Sequence, residues 1–225
     1  MTSEKDTLAL EIMSELKNYN YFVNSLMMRY IKNGPVLDFG SGHGIFCMHV
    51  NSTGLTSHGY EIDAEAIKKS KLNKIKTYNS LEMIPQLYPV VTSLNVLEHI
   101  ENDEASLVDI AKLLQKDGLL ILYLPASMKV WTQMDVDVGH FRRYEKKEII
   151  NKLTNNNFEI IHLSFKDFAG WLILFLFNKL NIKPKFNKKL LIFYDRFIFP
   201  ISKYLDFIGS KYIGKNIFVV ARIKN

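Results

Sequence analysis

The sequence predicts a doubly wound α/β domain, and three observations carry that prediction. Short apolar runs alternate with helical periodicity from residue 34 to residue 164, the pattern of strand-helix units built around a mostly parallel sheet. The first run, Val36-Leu37-Asp38-Phe39, ends in three glycines spaced two apart, Gly40, Gly42 and Gly44. Glycine tolerates positive φ and close approach of a ligand, so this is a strand entering a tight loop ahead of a helix. The run Leu119–Leu124 is almost wholly apolar, as a strand covered on both faces must be.

In chain order, residues 4–32 read as one helix, with Leu8, Ile12, Leu16 and Tyr19, then Phe22, Leu26 and Tyr30, three and four apart. Asn33-Gly34 ends it. After the glycine loop come a helix over Ile45–Val50, a strand over Leu55–Tyr60 and a lysine-rich helix over Ala64–Leu72. A weak third strand is placed at Lys74–Thr77 and a fourth at Val90–Leu94. A helix over Asp103–Gln115 is stopped by Asp117-Gly118, and the fifth strand follows. A loop insertion runs from Pro125 to Tyr144, then a helix over Glu145–Thr154, a sixth strand over Phe158–Ser164 and a seventh over Asn216–Arg222. The expectation is one domain over 1–225: an N-terminal helix (1–33), a ligand-binding core (34–164), an apolar and basic helical cap (165–215) and a last strand (216–223).

The formal charge is +6. Eight lysines and one arginine against two aspartates fall between Gly170 and Lys215, so the basic character is confined to the cap and is interleaved with large aliphatic residues. That argues against a nucleic-acid surface, since no RNA-binding motif accompanies it. Phe168–Phe177 is too short to span a bilayer, and Leu190–Ile208 is broken by Asp195, Arg196, Pro200, Lys203 and Asp206. The cap is read first as a lid over an acceptor pocket or a homodimer contact, and second as a peripheral contact with an anionic membrane. The single cysteine, Cys47, sits in an apolar run and is read as core. With no apolar leader over Met1–Asp6, a cytoplasmic location is expected, extending to the inner face of the membrane if the cap binds there.

A dinucleotide loop reads G-x-G-x-x-G and receives a pyrophosphate; this chain reads G-x-G-x-G behind an acid. An acid there repels phosphate and suits an amine-bearing or cationic ligand. About 20 residues on, at the end of the second strand, Glu61 is placed to accept from both ribose hydroxyls. Asp63 better suits the cap of the next helix. The loop Asp38-Phe39-Gly40-Ser41-Gly42-His43-Gly44 resembles motif I of the class I S-adenosylmethionine (SAM) dependent methyltransferases. The stretch Asn95-Val96-Leu97-Glu98-His99-Ile100 is similar to their V-L-E-H-I. Asp135 to Tyr144 resembles the D-x-x-x-G-H-x-R-R-Y signature of a bacterial subgroup. Further likeness at Asn18-Tyr19-Asn20, Tyr194-Asp195-Arg196 and Ile213-Gly214-Lys215-Asn216 extends it over nearly the whole chain.

The resemblance implies a Rossmann-like seven-stranded sheet, SAM as cofactor and S-adenosylhomocysteine as product. It implies a cofactor site of Asp38, Gly40, Ser41, Gly42, Gly44, Glu61, Ile62, Asn79, Asn95 and Tyr19. Two positions depart from the family: Pro89 stands where an Asp commonly opens the fourth strand, and Asn79 or Ser80 replaces the adenine-binding Asp. On the acceptor side the residues are His140 as first base, His99 as second, Tyr144 as a positioning group, Asp135, and Arg142 or Arg143 for an anionic acceptor. No metal site is expected, because Glu98, Glu101, Asp103 and Glu104 read as charge at a helix N-terminus. The expected acceptor is a small molecule, a sugar or a lipid-linked glycan, methylated on oxygen or nitrogen. Alternatives are a catalytically idle SAM-binding regulator and an RNA methyltransferase.

Overall fold

The structure, a computed structural model, describes residues 4–185, 187–209 and 211–224, with side chains from Leu10 onward except at 208 and 209. Met1–Ser3, the side chain of Leu8 and Phe186 of the basic stretch lie outside the described residues.

Seven strands form one sheet in the order β3-β2-β1-β4-β5-β7-β6. They are β1 (Val36–Phe39), β2 (Ser57–Tyr60), β3 (Thr77–Tyr78), β4 (Tyr88–Leu94), β5 (Leu114–Pro125), β6 (Phe158–Lys166) and β7 (Asn216–Ile223). β1 to β5 are parallel, while β7 runs antiparallel to both its neighbours. One face is covered by a cluster that includes Leu107, Ile110, Ile149 and Leu153, from α5 (Asp103–Leu113) and α7 (Lys146–Asn155). The other is covered from α2 (Lys17–Met28) and α3 (Ile45–Ser52) through Val23, Leu26, Met27, Phe46 and Val50. The expected α/β class and the seven-stranded doubly wound sheet are what the chain forms.

Local differences have local causes. The N-terminal segment is two helices, α1 (Glu4–Glu15) and α2, broken at Leu16. The break frees the first amides of α2, and Asp195 accepts from Asn18 N at 3.1 Å and Tyr19 N at 2.7 Å. Helix periodicity cannot show a cap supplied from the far end of the chain. The helix before β5 stops at Leu113, earlier than Asp117-Gly118, because Leu114 pairs with Tyr88 of β4. The register then shifts around Pro89, which has no N–H to give to the ladder. The third strand lies slightly later than placed, at Thr77–Tyr78, and α6 (Gln133–Asp137) occupies the insertion read as loop. α4 (Ala64–Leu72) begins as expected at Asp63, whose carboxylate accepts from Ala66 N at 2.7 Å.

The cap consists of α8 (Phe168–Lys179), α9 (Lys188–Phe193), a π-helical turn over Tyr194–Ile198 and α10 (Phe199–Gly209). Its two ends are side by side, because Lys166 of β6 pairs with Asn216 of β7 and Lys215 N donates to Asp167 O at 3.2 Å. β6 runs in the direction of the parallel strands, so the cap leaves the sheet at their carboxyl edge, where open α/β folds receive ligands.

Candidate active site

At the carboxyl end of β1, Gly40, Gly42 and Gly44 have φ of 77°, 51° and 76°, left-handed values that L side chains rarely adopt. A Cβ on Gly40 would lie 2.5 Å from Val96 Cγ1, and one on Gly44 2.9 Å from Ile75 Cγ1, so these two fix how the loop packs. Gly42 is different: a Cβ there would meet only Leu10, at 3.3 Å. Its amide donates to Glu61 Oε2 at 2.8 Å, and Glu61 Oε1 accepts from Ile62 N at 2.8 Å and Asp63 N at 2.9 Å. Glu61 thus stands at the end of β2 against the loop, as expected, with exposed Ile62 beside it. Ser41 is buried with its hydroxyl unpartnered.

Asn95 follows β4 at φ 51° and donates from Nδ2 to Tyr19 OH at 3.1 Å, which brings those two residues together across 76 positions of sequence. Asn79 is exposed just after β3. Asp38 sits beneath the loop and accepts from Thr92 Oγ1 at 2.8 Å inside the sheet. Burial, helped by the charge of Glu61, pushes its carboxyl up to about 7. The glycine loop, Glu61 and Asn95 make a donor and acceptor set that fits SAM.

The acceptor side is built on the loop after β5. Asp135 on α6 accepts from Thr132 N at 2.8 Å, from His140 Nδ1 at 2.9 Å and from Arg143 Nε at 2.7 Å. Burial opposes its ionisation, but the bond from His140 and the charge of Arg143 outweigh it and hold the carboxyl below its ordinary value. An ionised carboxylate only accepts, so the proton of neutral His140 lies on Nδ1 and Nε2 keeps its lone pair. That nitrogen is 3.9 Å from Glu98 Oε1, and the His140 and His99 rings meet edge to face at 4.7 Å.

Three expectations are corrected here. Tyr144 does not face an acceptor; it is buried and donates to Asp103 Oδ2 at 2.7 Å, tying the loop to the start of α5. Arg142 and Arg143 are not free to hold an anion. Arg142 donates to the carbonyls of Ile100 and Glu101 at 2.8 and 2.6 Å and pairs with Asp103, while Arg143 is buried against Asp135 and reaches the carbonyls of Ala126 and Lys215. Glu98 is not helix-end charge: it is fully buried in a short turn before α5, both oxygens lack hydrogen-bond partners, and burial pushes its carboxyl up to about 8. Sequence reasoning missed it as a site residue, although the quoted V-L-E-H-I contains it. Glu98, His99 and His140 each offer one ligand atom, all within 4.8 Å of one another, a set able to hold a metal ion.

A cleft of about 290 Å³ opens between Trp131, Thr132 and Val136 on one side and Asn178 of α8 with Ile182 and Lys183 of the segment after it on the other. Asn178 Nδ2, which lines it, donates to the carbonyls of Lys129 and Trp131, both at 3.0 Å.

The fold and part of the sequence have counterparts among known proteins. The family described as "Methyltransferase domain" matches residues 17–163. A ubiquinone biosynthesis O-methyltransferase of Vibrio atlanticus (strain LGP32) is 28% identical over 114 residues, covering 43% of this chain and 48% of the relative. The chain thus spans about half the length of the curated relatives it matches. A solved SAM-dependent methyltransferase of Thermotoga maritima, described as a possible histamine N-methyltransferase, superposes with a TM-score of 0.62 at 12% identity, over 95% of this chain and 89% of that one. The magnesium protoporphyrin IX methyltransferase of Synechocystis PCC 6803, solved with bound SAM, superposes with a TM-score of 0.55 at 13% identity, over 100% and 86% of the two chains.

Proposed function

The chain belongs to the methyltransferase-domain family, and from that premise we propose that it is a SAM-dependent methyltransferase that methylates a hydroxyl of a small or lipid-linked acceptor with His140 as the base. The observation that carries the proposal is the Asp135–His140 pair, an imidazole held through Nδ1 by a buried carboxylate on the loop after β5, with Nε2 3.9 Å from Glu98 Oε1. Relatives named as O-methyltransferases support oxygen as the atom methylated.

SAM supplies an electrophilic methyl on a sulfonium. The chain supplies alignment, exclusion of water and a place for the proton. The glycine loop and Glu61 orient the cofactor, with Ile62, Asn79, Asn95 and Tyr19 around it. With SAM bound, its sulfonium would supply the methyl and leave as the neutral thioether, and the acceptor hydroxyl's proton would pass to His140 Nε2. Asp135 stabilises the imidazolium that results, and His99, against the His140 ring, is the second candidate base.

The test incubates the protein with methyl-labelled SAM and separate aqueous and lipid extracts, followed by mass spectrometry. A labelled ether in a small-molecule or lipid fraction is the expected result. SAM binding without any labelled product would favour the idle regulator, and label in RNA would move the acceptor to nucleic acid.

A further inference from the structure

We propose that the cap is a docking surface for an anionic phospholipid bilayer, through a stripe on α9 and α10 that turns its apolar side to solvent. The observation is an inversion of the usual helix pattern. A helix on a globular protein buries its apolar face and exposes its polar one. Here Leu190, Phe193, Phe197, Ile201, Tyr204 and Phe207, three and four residues apart, are all exposed, Tyr204 at 80% and Phe207 at 93%. The buried side of the same segment carries Asp195, Ser202 and Asp206 together with Phe199.

The inward polar groups are fully occupied. Asp195 caps α2, Asp206 accepts from Asp167 N at 3.0 Å and Phe168 N at 2.9 Å at the start of α8, and Ser202 donates to Asp167 Oδ1 at 2.8 Å. Asp167 also receives Tyr194 OH and pairs with Lys215 at 3.0 Å. The segment therefore cannot roll over to hide its phenylalanines without breaking four sets of bonds. Its apolar side is left outward by the fold itself.

Charge selects the occupant. Residues 170–215 carry eight lysines and one arginine against two aspartates; Lys188 is paired with Glu15 at 2.5 Å, while Lys189 and Arg196 are exposed along the stripe, the Arg196 guanidinium 5.6 Å from the Phe197 ring. Exposed aromatic and aliphatic side chains beside cations that can reach outward on long stems are what an interfacial helix presents to anionic headgroups. A second copy of this chain fits less well, because a twofold contact would set this positive surface against itself. Among the described residues, no helix is long and apolar enough to cross a membrane, so the contact is peripheral. The proposal stands on this surface alone, independent of which acceptor is methylated.

Flotation of the protein with vesicles tests it. We expect binding to equal parts phosphatidylcholine and phosphatidylglycerol that is at least about tenfold tighter than to phosphatidylcholine alone, and that weakens with salt. The pair Phe197→Asp and Ile201→Asp should lose about tenfold of that binding with SAM affinity and melting temperature unchanged. Tyr204→Asp with Phe207→Ser, at still more exposed positions, serves if the first pair misfolds. Equal binding to neutral and anionic vesicles, or folded variants that bind like the parent, would overturn the proposal. A dimer in solution that these variants dissociate, with no flotation, would give the stripe to a second copy instead.

Discussion

Burial places two carboxyls of the site, Asp38 and Glu98, among the groups that titrate near neutrality, at about 7 and about 8. For Asp38 the consequence for stability has a definite sign. Its folded value lies above the ordinary 3.8, so between those two pH values the unfolded chain has lost a proton that the folded chain keeps. Stability is then full below pH about 4 and falls as pH rises through about 7. Asp38→Asn keeps the shape and an acceptor for Thr92 but cannot ionise. Thermal melts should show it equal to the parent at pH 4 and more stable at pH 8, by an amount on the order of a few kcal/mol. A parent curve already flat from pH 4 to 8 would count against a protonated Asp38. At this scale the sequence was legible where a residue is required by backbone geometry, as at Gly40, Gly42 and Gly44, or by strand position, as at Glu61. It was not legible where burial decides the role. Glu98 and Tyr144 look in sequence like a surface acid and a contact phenol, and only the packing of the loop onto α5 puts them inside.

Helix α2 depends on a partner that its own sequence does not contain. Leu16 has no side chain to cap with, and Asp195 supplies the acceptors from the π-helical turn, with Asn18 Nδ2 returning a bond to Asp195 O at 3.1 Å. Asp195→Ala should cost on the order of 1–2 kcal/mol, as loss of a cap does, and lower the melting temperature by several degrees. The loss should be shared by Asn18→Ala, and the double variant should cost less than the sum of the two because both report one contact. Strict additivity would mean that the two groups do not act together. The cap was visible in the sequence as an apolar and basic stretch, but not which way it faced. Exposed Phe197 and buried Asp206 contradict the hydrophobic pattern, and the reason lies in the amides of α2 and α8 that the inward acids satisfy.

Across the whole molecule, one sheet edge collects everything argued to act. The glycine loop follows β1, Glu61 follows β2, Asn95 to His99 follow β4, the Asp135–His140 loop follows β5, and the cap is rooted between β6 and β7. Strand-helix alternation made that edge predictable, since parallel strands bring all their following loops to one side. The reversed direction of β7 was not, because nothing in a short apolar run states its direction. Arg143 links the two halves of this edge, reaching Asp135 on one side and the carbonyl of Lys215 at the cap's root on the other. Arg143→Lys should keep the charge, lose the fork and loosen His140, lowering kcat more than it changes the affinity for SAM.

If His140 removes the acceptor proton while the glycine loop and Glu61 hold the cofactor, single-turnover methyl transfer in His140→Ala will separate the two roles, with SAM binding measured by calorimetry on the same preparation. Transfer should fall by on the order of a hundredfold or more while SAM affinity stays close to the parent's, with His99→Ala retaining most of its rate. An active His140→Ala beside an inactive His99→Ala, or loss of SAM binding in His140→Ala, would contradict these roles.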